Sequence, residues 1–499
     1  MKNSHKALLL PLSALLLAGC AVGPDYVPPA LPALQASQFP ASFEDASKGL
    51  SSGAVERAWW RGFDDPALDS LVQRALSANH DIGIAAARLA QASALLKESR
   101  QGYLPSGGFA LDYDNRRRSE SQTPAGQPRR LDSYRGAVDA AWEIDLFGRV
   151  QRSVEAAEAQ AGSREALLRG VQAGVAAAVA ATWFELHGIE AERAVVDDIR
   201  QSQLDGLQLV DALVDAGSAS AFDRLRAEAA LRSVEVAVPE LERRHAASVN
   251  ALAILLGETP HGFSLPAGMS ASVPLRVQTI AVGDPAALLS RRSDIVAAER
   301  SLAAATAGIG VETAGLYPEV QVQGSIGLVA GSLSTLSGAA ALSGFISPVM
   351  RWSFLDTGRV RARIAASEAR AKEALIRYDQ TVARALQETD DAFKAYGAAA
   401  STLGLRLRES AANREAARLA RVRFAQGEGL YLDVLQAERS DFASRRALAI
   451  ARTQQRLAVV SIHKALGGGW EVCAWTRQEC RGADGLSSAG LARQISHRP

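Results

Sequence analysis

Apolar residues recur along this chain with two different periods, and the switches between them outline its elements. After Gly148, and again after Gly358, the pattern is helical for a long way. No proline lies between Val150 and Val238, and none follows Met350 until the last residue. A helix from Arg149 to about Ala216 would reach roughly 100 Å at about 1.5 Å per residue. Gly217 and Gly427 supply helix-stopping turns. Helices are then expected to return from about Ala221 to Leu256 and from Leu430 to Leu466, with Pro239 kinking the first of them. Leu375, Tyr378, Val382, Leu386, Phe393 and Tyr396 follow the spacing of a coiled-coil stripe. Shorter helices are predicted over about residues 80–102 and 293–315.

Between the helices the period drops to two. Phe109, Leu111 and Tyr113 alternate with Ala110, Asp112 and Asp114. Tyr134, Val138, Ala140, Trp142 and Ile144 alternate with Arg135, Ala137, Asp139, Ala141 and Glu143. Val320, Val322, Ile326 and Leu328 alternate with polar or small residues, as Ile346, Pro348, Met350, Trp352 and Phe354 do less cleanly. Strands are therefore expected at about 105–120, 132–147, 317–331 and 343–355. One apolar and one polar face suits strands between lipid and water, and equally half of a soluble sandwich. Aromatic residues near the ends (Tyr103, Tyr113, Trp142, Trp352) and strand lengths of about 10 residues favour a bilayer crossing. Four strands do not close, because membrane barrels begin at about eight and an open edge is not tolerated in lipid. Several copies must then contribute strands. Counting alone allows a dimer, a trimer or a tetramer.

The same parts occur twice. Trp142-x5-Gly148-Arg149 recurs as Trp352-x5-Gly358-Arg359, Gly217-x5-Asp223 as Gly427-x5-Asp433, and Leu256-Gly257 as Leu466-Gly467, each 210 positions on. Upstream, Asp81-Ile82 recurs as Asp294-Ile295 and Pro105 as Pro318, 213 positions on. This spacing predicts a duplication, with one repeat over residues 64–257 (helical hairpin about 149–256) and the other over 284–467 (helical hairpin about 359–466).

The N-terminus changes the picture from soluble to exported. Lys2 and Lys6 precede an apolar run of 12 residues, Ala7 to Ala18, too short to span a hydrocarbon core. Leu17-Ala18-Gly19-Cys20 looks like a bacterial lipobox, so residues 1–19 are read as a signal peptide and Cys20 as the lipidated mature N-terminus. Ala21 in place of an aspartate argues for the outer membrane. Residues 20–63, with Pro24, Pro28, Pro29, Pro32 and Pro40, are expected to form an extended strap. Cys473 and Cys480, in a tail of residues 468–499, are a candidate disulfide. No later run of 18 apolar residues is found.

A net charge of +1 on 499 residues gives no field for nucleic acid. No P-loop, dinucleotide fingerprint, metal-ligand spacing or nucleophile–base set stands out, so no enzyme and no cofactor is expected. Arg116-Arg117-Arg118 and Arg129-Arg130 flank the first strand-to-strand loop, where they would either hold anionic lipopolysaccharide or be solvated.

Four segments together carry a family resemblance. They are Cys20-Ala21-Val22-Gly23-Pro24-Asp25-Tyr26, Trp59-Trp60-x2-Phe63-x-Asp65-Pro66-x-Leu68, Trp142-x2-Asp145-Leu146-Phe147-Gly148-Arg149, and Gly427-x5-Asp433-Val434-Leu435-x2-Glu438. The chain resembles the outer-membrane factors typified by TolC, in the lipoprotein branch that includes OprM and NodT. The resemblance implies a mixed α and β membrane protein: a homotrimer with a 12-stranded β-barrel, four strands per chain, continued by a long periplasmic α-helical barrel. It implies a gated exit duct for drugs or other small toxic compounds, served by a periplasmic adaptor and an inner-membrane pump of the RND class. By the same resemblance the tips around Gly217, Ser218, Gly427 and Gly429 contact the adaptor. Asp433 matches the family's constriction aspartate, Asp223 is its equivalent in the first repeat, and Gln436 stands where some relatives carry a second acid. For Asp223 a helix cap is the competing role. The rival classes are a coiled-coil lipoprotein tying the outer membrane to the cell wall, and the exit duct of a type I secretion system.

Overall fold

The computed structural model describes residues 21–29, 50–51, 58–265, 280–281 and 291–467. Cys20, Cys473, Cys480, Pro32 and Pro40 lie outside them. The principal elements are α1 (Pro66–Ala78), α2 (His80–Gln101), β1 (Ser106–Arg117), β2 (Arg130–Ile144), α3 (Arg149–Asp215), α4 (Ala221–Glu235) and α5 (Ala237–Leu255). They continue with α6 (Ser293–Ala314), β3 (Glu319–Ala330), β4 (Leu342–Arg351), α7 (Thr357–Ala425) and α8 (Tyr431–Ala465). The expected kink at Pro239 is a break between α4 and α5 at Val236, because proline brings no N–H to the helix ladder. Contacts divide the chain into two units. Of the described residues, one holds 21–29, 84–168 and 294–383; the other holds 50–51, 58–83, 169–265, 280–281, 291–293 and 384–467.

The first unit contains the sheet, an antiparallel run in the order β1-β2-β3-β4. Its register places Phe109 opposite Val138 and Val138 opposite Ile326, while Leu111, Gly136, Leu328 and Leu342 form the next tier. Side chains alternate across a strand, so these residues share one face. Phe109, Leu111, Val138, Ile326, Leu342 and Ile346 are all exposed on it. The other face is polar: Arg135 on β2 donates to Asp112 (2.9 Å), to Asp139 and to Ser325 Oγ (3.0 Å) on β3. Tyr113 and Tyr134 pair across β1 and β2 with centroids 4.8 Å apart, eight residues along the strand from the level of Trp142. That separation is about 27 Å along the strand. The end of β4 departs from the expected 343–355. Trp352 has left the strand, and Phe354–Asp356 form a 3₁₀ turn.

The two Trp-x5-Gly-Arg segments do the same work. Trp142 Nε1 donates to the Tyr103 carbonyl (3.1 Å) and Trp352 Nε1 to the Leu316 carbonyl (3.0 Å), each closing the turn that follows α2 or α6. Asp145 accepts from the Gln151 N–H at 2.8 Å, and Glu143 binds the Arg149 guanidinium, fixing the entry to α3. The strap expected at the N-terminus is docked here. Val22 N–H donates to the Phe147 carbonyl (3.2 Å), and the buried Arg152 donates to the Val22 carbonyl (3.2 Å) and to Asp25 (2.6 Å). Tyr26 OH donates to Glu299 at 2.7 Å.

The second unit holds the helical core, with Trp183, Phe184, Leu186, Leu68, Leu71, Leu252, Ile462 and Leu466 buried. By length and composition α3 is apolar enough to cross a membrane, where the sequence showed no such run. Its apolar stretch includes Val179, Ala180, Trp183, Phe184 and Leu186, which are core residues of this unit. Of the expected stripe, Tyr378 and Val382 in the first unit and Phe393 and Tyr396 in the second are buried, Leu386 is half-buried and Leu375 is exposed. Asp65 caps α1 by accepting from Ala67 N–H (3.0 Å) and Leu68 N–H (3.1 Å), and also accepts from Trp183 Nε1 (2.7 Å). Asn79 Nδ2 donates to the Leu255 carbonyl at 2.9 Å, and Arg292, 213 positions later, donates to the Ala465 carbonyl at 2.9 Å. Gly257, at φ 71°, passes so close to Ala78 that a Cβ would sit 2.3 Å from its carbonyl oxygen.

Trp59 stacks on His463, centroids 4.8 Å apart and 10° from parallel. Burial pushes the His463 pKa down to about 4. As pH falls from about 6.5 toward about 4, the unfolded chain takes up a proton that the folded imidazole refuses. This group's contribution is therefore complete above that window and is lost through it, by about 3 kcal/mol in full. The thermal midpoint of the detergent-solubilised protein should fall as pH is lowered from about 7 to about 4.5. In His463→Phe that segment of the profile should flatten; an unchanged profile would remove His463 as its cause.

Candidate functional site

The candidate residues sit at two helix–turn–helix tips, both in the second unit. Each turn is built alike. Gly217 has φ 70° and Gly427 φ 78°, left-handed conformations that glycine adopts without a Cβ penalty. At the first tip Gly217 N–H donates to Val214 O (2.9 Å) and Ser218 N–H to Leu213 O (2.8 Å). At the second, Gly427 N–H donates to Phe424 O (3.0 Å) and Glu428 N–H to Arg423 O (2.9 Å). This paired pattern satisfies the last carbonyls of α3 and α7. Gly217, Ser218 and Gly427 are exposed, and Gly429 is half-buried.

Asp223 and Asp433 occupy the same place, three residues after the cap of the returning helix. Asp223 accepts from the Ser220 N–H (3.1 Å) and hydroxyl (2.7 Å), and its own N–H donates back to Ser220 Oγ at 3.3 Å. The Ser220 hydroxyl and amide hold the Asp223 carboxyl below the usual carboxylate range. The capping role weighed for Asp223 is thus realised. Among the described residues Asp433 accepts only from the Leu430 N–H, at 3.4 Å, and leucine offers no side-chain oxygen to return the bond. Asp433 and Gln436 are both exposed on one face of α8, a turn apart.

The opposite face of α8 carries polar groups that sequence reasoning did not single out as a site. The Glu438 side chain, 8% exposed, accepts from Arg421 Nε (2.6 Å), Gln203 Nε2 (2.6 Å) and Ser202 Oγ (3.4 Å). Arg421 also donates to Ser202 Oγ at 3.0 Å. One rung along, Arg445 pairs with Asp198 at 2.5 Å. Further along, the buried Glu192 pairs with Arg244 (3.0 Å) and Arg446 (3.2 Å). The ladder ties α3 to α7, α8 and α5, beside an apolar cluster of Ile189, Val196, Ile199, Val234 and Leu241 that Phe442 joins. Tyr431, beside this ladder, has its pKa pushed up to about 12 by burial and then by Glu438. The available signal was positional: Glu438 and Asp441 share a helical face with the buried Val434, where polar residues need partners.

A family model described as outer membrane efflux protein matches twice, over residues 71–258 and 285–468. The chain belongs to the outer membrane efflux protein family. Among the family's curated members, the outer membrane protein OprJ of Pseudomonas aeruginosa is 31% identical over 92% of this chain and 95% of its own length. The solvent efflux pump outer membrane protein SrpC of Pseudomonas putida is 30% identical over 93% and 98%. The solved outer-membrane channel OprN superposes with a TM-score of 0.84 at 34% identity, covering 90% of this chain and all of that one. Membership in this family makes the chain an outer-membrane protein of efflux, with a fold shared by channels rather than by enzymes.

The Glu438 cluster yields a stability expectation. Arg421→Ala leaves a buried carboxylate with two neutral donors. Because Arg421 is half exposed, the loss should be about 2 kcal/mol, below the ~3–5 kcal/mol of a fully buried broken pair. Thermal unfolding in detergent should register it, and Glu438→Gln with Arg421→Ala together should lose less than the sum. Strict additivity would mean the two side chains do not act as one unit.

Proposed function

We propose that three copies of this chain form a passive, gated exit duct of a tripartite efflux system: a 12-stranded barrel in the outer membrane, continued by a periplasmic tube of helices. The observation that carries this reading is the four-stranded sheet, apolar on one face and polar on the other, with the outer edges of β1 and β4 unpaired among the described residues. In lipid such edges require closure by neighbouring strands. A homotrimer closes them with the strand count that the family resemblance implies. The double family match, and the paired roles of Trp142 with Trp352 and of Asn79 with Arg292, support reading residues 64–257 and 284–467 as one duplicated unit.

In this reading Cys20 carries the acyl anchor, and the docked residues 21–26 fix where it enters the membrane. Cys473 and Cys480 pair in the tail. The tips at Gly217, Ser218, Gly427 and Gly429 meet a periplasmic adaptor, which bridges to an inner-membrane pump of the RND class. Asp433 lines the constriction with Gln436, and three copies make an acidic ring that favours cations. Asp223, committed to its cap, contributes less. Drugs, solvents and other small toxic compounds are the cargo class, in keeping with the solvent efflux pump named for SrpC. The chemistry is transport, with no catalytic group and no cofactor.

A photo-reactive residue at Ser218 or Gly429 in living cells should form adducts with a periplasmic adaptor, identified by mass spectrometry. Adducts only to peptidoglycan or to self would favour the spacer lipoprotein, and an adaptor from a protein-export system would favour type I secretion. In planar bilayers, Asp433→Asn should lower cation preference by roughly twofold or more. An unchanged reversal potential would remove Asp433 from the constriction.

A further inference from the structure

The first strand hairpin carries a charge pattern that a closed duct does not use. Residues 115–131 contain five arginines and one acid, Glu120. The corresponding loop between β3 and β4, residues 331–341, has no charged residue, so closing such a hairpin does not require them. The β1–β2 ladder runs without a bulge from Ser106 opposite Ala141 to Arg117 opposite Arg130. Strict alternation therefore puts Arg117 and Arg130 on the same face as Phe109, Leu111 and Val138, the apolar face. Arg116 falls on the polar face, where it pairs with Asp114 at 2.6 Å. Arg129 pairs with Glu120 at 3.6 Å.

Arg117 and Arg130 make no ion pair among the described residues, and both are exposed. Like charges directly opposite each other across a ladder repel. The nearest acid on their face, Asp132, is hydrogen-bonded by the Tyr113 hydroxyl at 2.9 Å and by Asn115, and reaches Arg130 only through a longer-range charge interaction. Reading outward along this face gives Phe109 and Leu111, then the Tyr113–Tyr134 pair, then Asn115 with Asp132, then the two arginines. Aromatic pairs of this kind mark the edge of the hydrocarbon. Four residues further is about 13 Å along the strand, or roughly 10 Å along the normal, which is headgroup depth.

We infer that Arg117 and Arg130 form a site for the phosphate groups of a phosphorylated glycolipid in the outer leaflet. The guanidinium fork binds phosphate in bidentate fashion, and one anion between the two arginines removes their mutual repulsion. The inference rests on the proposed reading that the sheet crosses the outer membrane with its apolar face to lipid.

The test uses the purified oligomer in detergent, titrated with bis-phosphorylated lipid A and with its phosphate-free counterpart, bound lipid being read by native mass spectrometry. The native protein should prefer the phosphorylated form by about tenfold or more. R117Q/R130Q should erase that preference and R117K/R130K should keep part of it. R116Q/R129Q, which removes arginines already paired with acids, should keep it. Equal binding of the two lipids, or an unaltered preference in R117Q/R130Q, overturns the site. The same samples run unboiled and boiled on a gel separate the two levels. A heat-modifiable oligomer without lipid preference sinks the lipid site alone, whereas no heat-modifiable oligomer in any sample sinks the membrane reading with it.

Discussion

A backbone N–H or C=O left without a partner in hydrocarbon costs several kcal/mol, and under the proposed function the architecture of the sheet follows from that cost. Among the described residues the sheet satisfies β2 and β3 on both sides but leaves β1 and β4 each with one open edge. A soluble protein would cover such edges with charge or with a helix. Here β1 and β4 instead present Phe109, Leu111, Ile346 and Met350, exposed and apolar. Under the proposed function the sheet is a sector of a closed barrel, and the rest of the first unit holds that sector in register.

The holding is done largely by side chain to backbone contacts rather than by apolar bulk. Trp142 and Trp352 bond carbonyls in the turns that follow the preceding helices, and so fix the angle at which helix becomes strand. Arg152 does the same for the strap. Being buried, its guanidinium needs acceptors, and the carbonyl of Val22 with the carboxylate of Asp25 supplies them. The second unit solves a different problem, that of very long helices without a thick core. Rungs at Glu192, Asp198 and Glu438 tie helices whose contact surfaces are rich in small residues. Paired carboxylates fix register where alanine alone would allow sliding, and they do so without adding bulk between closely packed backbones.

Much of this was legible in the sequence because periodicity and duplication are local properties. The ends of α3 follow from Gly148 and Gly217, and the break at Val236 from Pro239. The strand faces follow from a period of two, which carries register information wherever one face is apolar. What was not legible depended on partners distant in the chain. Glu438 meets Ser202 and Gln203 across more than 230 residues, and no spacing rule reaches that far. Trp352 and Phe354 continued the apolar alternation of β4 past its end, because an aromatic anchor and a strand residue look alike in a single sequence. Leu375 fits the coiled-coil stripe yet is exposed in one copy, as expected of a position that a neighbouring copy would cover in the proposed trimer.

The two tips show where duplicated halves part company. Their turns close with the same pair of backbone bonds around Gly217 and Gly427, so the turn itself tolerates little change. The caps differ. Ser220 and Asp223 satisfy each other reciprocally, which stabilises the start of α4 over a residue without a side-chain acceptor. Leu430 gives up half of that arrangement and presents an exposed apolar side chain, leaving Asp433 with a single long bond. A capped aspartate is held by its own helix. A weakly held one can respond to its surroundings, and this asymmetry is why, under the proposed function, Asp433 is the better constriction residue although Asp223 occupies the equivalent place.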